Sequence, residues 1–200
     1  MLTSISPLGE RARASRWWLT TVAYVVSSVL GGLALGLLSA LLGSLVPSAW
    51  RSSPAAYVVV ALALVAGLLL DLGVGGRALP SWRRQVDQAW LGRYRGWVVG
   101  VGFGAQLGFG LVTIVTSATT YAVALLCVLS GDLAVGLLVG ATFGLVRALP
   151  SALMGRVVTR EQLWRVLSGV ERGAPAADLA ARLALAAAAA ALTVVAMRGT

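Results

Sequence analysis

Residues Gly96 to Ser130 read GWVVGVGFGAQLGFGLVTIVTSATTYAVALLCVLS and limit the possible folds more than any other stretch. As one straight helix these roughly 35 residues would run about 52 Å at 1.5 Å each, against a hydrocarbon thickness of about 30 Å. As two helices, the second, from Ser117, would have only about 14 residues, too few to span upright. A polar patch, Thr116-Ser117-Ala118-Thr119-Thr120-Tyr121, separates two apolar halves. The stretch therefore reads as membrane-embedded and interrupted.

The rest of the chain agrees. Of its 200 residues 58% are hydrophobic and only 12% charged, and the mean hydropathy is +0.88. Apolar runs this long with so few charges point to one polytopic, all-helical membrane domain over 17–200, preceded by a cytoplasmic tail over 1–16. The 16 basic residues are all Arg, and the absence of Lys associates the chain with a GC-rich bacterial genome. They fall between apolar runs, so the net charge of +9 argues for anionic lipid headgroups as partners rather than nucleic acid. One Cys and no His exclude an intramolecular disulfide and a Cys/His zinc site within one chain, and no metal or cofactor is expected.

Five spans are expected. The first runs from about Leu19 to Leu42 behind Trp17 and Trp18, and carries Gly32-x-x-x-Gly36, which lets another helix approach closely. Residues 47–54 form a loop. The second span, Ala55 to about Leu72, ends near Asp71, which is either an intramembrane acid or an interfacial residue beside Arg77. Residues 80–95 place Trp82, Val86, Trp90 and Tyr94 on one face among arginines, as in an interfacial amphipathic helix. In the interrupted stretch Gly96, Gly100, Gly104 and Gly108 form an i,i+4 ladder. A tight turn at Gly131-Asp132 precedes a span over 133–150 with a second ladder, Gly136, Gly140 and Gly144, then Arg147 and a closing Pro150. Thr159-Arg160-Glu161-Gln162 fits a capping box for a second surface helix stopping near Gly173. An Ala-rich run from Leu179 to Met197 is the last span.

Arginine placement selects the topology. With 96–130 as one broken span, the N-terminus, the 77–95 loop and the 147–176 loop share one side. That side holds 13 of the 16 Arg residues: 11, 13, 16, 77, 83, 84, 93, 95, 147, 156, 160, 165 and 172. The positive-inside rule makes it cytoplasmic and sends the C-terminus outside the cytoplasmic membrane. Backbone groups at the break must then be buried or line a wet cavity.

The run GFGAQLGFGLVTIVTSATTYAVALL, with GDLAVGLLVGATFGLVRALP after it, resembles the fourth and fifth spans of the DsbD/CcdA transmembrane family, over about residues 19–197. The resemblance implies a carrier of reductant in thiol and cytochrome c maturation, lacking the family's first span. The family's second redox Cys would fall near 116–121, where this chain has Thr, Ser and Ala, so the redox activity does not carry over. Cys127 reads as a small packing residue.

Three functions follow as expectations. The first is a small-solute permease whose path is lined by Gln106, Thr113, Thr116, Ser117, Thr119, Thr120 and Tyr121, with Asp71 and Arg147 as charged gates. The alternative is a non-catalytic accessory or scaffold protein in envelope thiol or cytochrome c maturation, acting through its glycine faces with itself or with other membrane subunits. An intermolecular thiol carrier using Cys127 is a third. No acid pair or nucleophile–base spacing points to an enzyme.

Overall fold

The computed structural model describes residues 16–74, 94–111, 117–154 and 157–199. Among them are seven α-helices and no strand: α1 (Trp17–Ser44), α2 (Ser48–Arg51), α3 (Pro54–Asp71), α4 (Gly96–Phe109), α5 (Thr119–Ser130), α6 (Leu133–Leu153) and α7 (Arg160–Arg198). Four of them, α1, α3, α6 and α7, are long and apolar enough to cross a membrane; α4 and α5 are shorter apolar helices. The tail 1–15, most of the expected 80–95 interfacial helix, and Thr113 and Thr116 lie outside the described residues.

α1 is the centre, and its small residues explain why. Ser27, Ser28, Gly31, Gly32, Gly36, Ser39, Ala40 and Gly43 are all buried on it, while Val22, Val26 and Leu30 point outward. The first ladder packs on one side of α1, running in the same direction. Gly100 backs onto the main chain of Thr20, Gly104 onto Tyr24 and Gly108 onto Ser28. The second packs on another side in the opposite direction, with Gly144 against Ser28, Gly140 against Gly32 and Gly136 against Gly36. At each of these crossings an added Cβ would meet main-chain atoms, at Gly104 with the Ser27 hydroxyl as well, so Gly permits the approach. Two hydroxyls tie the same surfaces together: Ser27 Oγ donates to the Gly100 carbonyl (3.3 Å) and Ser28 Oγ to that of Gly144 (2.8 Å).

α3 begins at a Ser53 cap, whose Oγ accepts from Ala56 N (3.3 Å), with Pro54 in the first turn. It lies beside the second half of α7 in the opposite direction, with Asp71 next to Arg182 and Pro54 next to Gly199. Val60, Leu64, Ala118, Ala122, Leu185 and Ala189 form the core shared by α3, α5 and α7.

The structure corrects three expected boundaries. Pro150 does not close α6, which continues to Leu153. The 47–54 loop contains the short helix α2. The expected surface helix and last span are one helix of 39 residues, about 58 Å long. Its start is the expected capping box: Thr159 Oγ1 accepts from Gln162 N (3.3 Å), and Gln162 Oε1 accepts from Thr159 N (3.2 Å). Gly173 and Pro175 do not stop it. They lie in the fully exposed stretch 171–180, where solvent satisfies the carbonyl that a proline leaves unpaired.

Candidate functional site

The interrupted stretch is broken as expected. α4 ends at Gly110, whose left-handed backbone (φ 74°) lets its N–H donate to the Gln106 carbonyl (3.1 Å). Thr120 and Phe143 close over this end so tightly that a Cβ at Gly110 would lie 3.0 Å from the Thr120 methyl. α5 then starts at Thr119 along the same side of α1, and by its far end Gly43 meets the main chain of Val128. α4 and α5 thus follow α1 in one direction as two pieces of one path.

A helix starting at such a break presents unpaired N–H groups. Ala118, at the N-cap position, has no side chain to satisfy them. Asp71, from the end of α3, does so instead. Its two carboxylate oxygens accept from Ala118 N at 3.0 and 2.9 Å, and Oδ2 also accepts from Ser117 Oγ (3.0 Å). Ser117 Oγ in turn accepts from Thr119 N (3.3 Å) and Thr119 Oγ1 (3.2 Å). An anion at the positive end of a helix dipole is the favourable arrangement. Arg182 of α7 steadies the donor helix: its Nη2 donates to the Asp71 main-chain carbonyl (3.0 Å) and pairs with Asp178 (2.7 Å).

The other end of α5 is treated with the opposite charge. Arg51 of α2 donates from Nη1 to the Ser130 carbonyl and from Nε to Val46 O (3.2 Å), and it fills the space beside Gly131. A cation thus sits on the carbonyl end of α5. Gly131, at φ 57°, closes the helix, and Asp132 caps α6 by accepting from Ala134 N (2.7 Å) and Val135 N (3.0 Å).

A second cluster lies where α1, α5 and α6 meet. Thr120 is 1% exposed, and its Oγ1 accepts from Arg147 Nη1 at 3.4 Å. The guanidinium stands 5.3 Å from the Phe143 ring centre and within electrostatic reach of buried Tyr24.

Of the residues expected to line a path, Asp71, Ser117, Thr119, Thr120 and Arg147 gather at the break. Gln106 is partly buried one turn before the end of α4, and Tyr121 is partly buried on α5. Asp71 is the last residue of its helix, and its carboxylate accepts from the start of another. Arg51, Arg182 and Phe143 were not among the expected site residues. The sequence signal of the two arginines was a charge standing within or between apolar runs, and for Arg182 an Asp four residues before it; Phe143 gave no such signal. Cys127 is buried and free.

Comparison with known proteins gives a consistent set of relatives. The chain is 33% identical over 181 residues to methylamine utilization protein MauF of Paracoccus versutus, covering 88% of this chain and 65% of that protein. It is 30% identical over 156 residues to MauF of Methylophilus methylotrophus, and 27% identical over 164 residues to MauF of Methylobacillus flagellatus; each match covers 76% of this chain and 54% of the relative. The chain thus spans less than two thirds of the length of these relatives. No protein-family profile and no solved structure matches it. These relatives overturn the resemblance to the DsbD/CcdA family. That resemblance rested on glycine spacing, and the spacing here serves close backbone contact with α1, a packing device not peculiar to one family. What the chain is similar to, over most of its own length, is MauF.

Proposed function

We propose that this chain is a non-catalytic membrane accessory protein serving methylamine utilization. The observation that carries the proposal is its 33% identity to MauF over 88% of the chain. The geometry supports an accessory in preference to a permease. Asp71, Ser117 and Thr119, expected along a solute path, are spent on starting α5 and on one another.

The proposed topology has five crossings with the third broken into α4 and α5, an N-terminus and Arg-rich side in the cytoplasm, and a C-terminus outside the cytoplasmic membrane. The common direction of α1, α4 and α5 and the reversed direction of α6 support it. So do Arg16, Arg95, Arg160, Arg165 and Arg172, which all fall on the proposed cytoplasmic side. Anionic headgroups there, and another membrane subunit or a second copy of the chain, are the proposed partners; nucleic acid is not.

Disrupting the gene in its host tests the role. Growth on methylamine as nitrogen source should fail while growth on ammonium is unchanged, and a plasmid copy should restore it. Equal growth on both sources in the disrupted strain overturns the proposal. Reporter fusions after residues 74, 131 and 199 test the topology, with 131 and 199 expected outside.

A further inference from the structure

Arg147 differs from the other polar groups at the break in having donors to spare. A guanidinium carries five N–H donors and stays charged. Among the described residues its hydrogen-bond partner is one neutral hydroxyl, Thr120 Oγ1, at the long distance of 3.4 Å, and its other contact is the face of Phe143. The ion pair found among those residues is Arg182–Asp178, and the carboxylate of Asp71 is committed to Ser117 and Ala118. Arg147 lies in the apolar helix α6, one turn beyond Gly144, where α6 backs onto Ser28 of α1. A cation held there without a counter-anion is costly, and an anion that meets it gains from the weak screening.

We infer that Arg147, with Thr120 beside it, forms the cationic half of a binding site for a small oxyanion, of carboxylate or phosphate chemistry, brought from the Arg-rich side as a free solute or as a lipid headgroup. The planar fork of the guanidinium matches two oxygens of such a group. Thr120 adds a hydroxyl that donates to the anion once it no longer only accepts from Arg147. The Phe143 ring lies 5.3 Å from the guanidinium, and buried Tyr24 is within its electrostatic reach. The inference stands independently of the methylamine reading.

The test uses the full chain in nanodiscs of zwitterionic lipid, titrated calorimetrically with inorganic phosphate and with acetate. A parallel preparation carries phosphatidylglycerol. Saturable binding of a free anion identifies a solute site. Retention of phosphatidylglycerol through purification, without binding of phosphate or acetate, identifies a headgroup site. Either should weaken about tenfold or more in R147Q, and less in R147K, which keeps the charge but loses the fork. R172Q, on the exposed part of α7, should bind like wild type. In the wild-type chain the bound anion should also slow modification of Arg147 by phenylglyoxal, read by peptide mass, which locates the site even where a variant fails to fold. No saturable binding of any of the three anions, equal binding by R147Q, or Arg147 labelling indifferent to the anion overturns the inference and leaves Arg147 a structural residue at the end of α4.

Discussion

α4 leans on α1 through bare backbone, whereas α5, the next piece of the same path, is held between two charged side chains. Gly100, Gly104 and Gly108 bring the main chain of α4 against that of α1, so backbone shape sets the approach at these crossings, with Val99 and Phe103 packed beside Tyr24. α5 has no such ladder. Asp71 takes the Ala118 N–H at its start and Arg51 the carbonyl groups at its end, and these residues stand at either end of α3. The first contact tolerates no added atom and needs no charge. The second tolerates changes of shape and depends on charge. One interrupted helix thus joins two fixing methods that respond to different substitutions.

The largest effects should come from the glycine contacts. Gly36→Ala or Gly108→Ala sets a methyl against the main chain of Gly136 or Ser28, and backbone cannot step aside as a side chain can. Each should cost about 3 kcal/mol or more, at the upper end for overpacking, and reduce the folded yield in detergent. A wild-type denaturation midpoint in Gly108→Ala would break the distinction between the two halves. Asp71→Ala should come next, at about 2 kcal/mol for a charge-assisted cap, with Asp71→Asn milder because one oxygen still accepts. Hydrogen exchange should show faster opening of 117–122 with little change in 98–106. Equal loosening of α4 and α5 would mean that the halves are not held separately. Arg51→Gln should cost about 1 kcal/mol and loosen the 127–131 end of α5, again by exchange. Smallest, and opposite in sign, is Gly169→Ala. Nothing lies within 4 Å of a Cβ there, so the change should stabilise α7 by about 0.5–1 kcal/mol, read as a small rise in helix content and melting temperature.

The break was legible in the sequence because length and polarity disagreed with any single upright helix. α4 ends at Phe109, before the expected 116–121, because Gly110 closes it in a left-handed turn that no hydropathy count reveals, and α5 already begins at Thr119. Both ladders were legible as close-contact faces, since Gly at every fourth position has few other uses in an apolar helix. Their common partner was not. Gly32-x-x-x-Gly36 shows that α1 has a bare face, but only the fold shows that α1 receives both ladders, one in each direction. The role of Asp71 was illegible for a related reason. It acts on Ser117 and Ala118, 46 and 47 positions further on, and no local spacing encodes a cap supplied from another helix. The continuity of α7 was hidden by Gly173 and Pro175, which stop a helix in most settings but not where solvent can take up the freed carbonyl.

The central place of α1 has a consequence for how the chain is made. It leaves the ribosome before both surfaces that fit it, which are encoded much later, around Gly104 and Gly140. At roughly 5–20 residues per second, the second arrives on the order of ten seconds after α1 is finished. Through that interval the stripe of Gly32 and Gly36, which the second ladder covers, has only lipid or the insertion machinery beside it. A chain cut short before Gly144 leaves the stripe open for good, a ready mark of incompleteness for membrane proteases to act on.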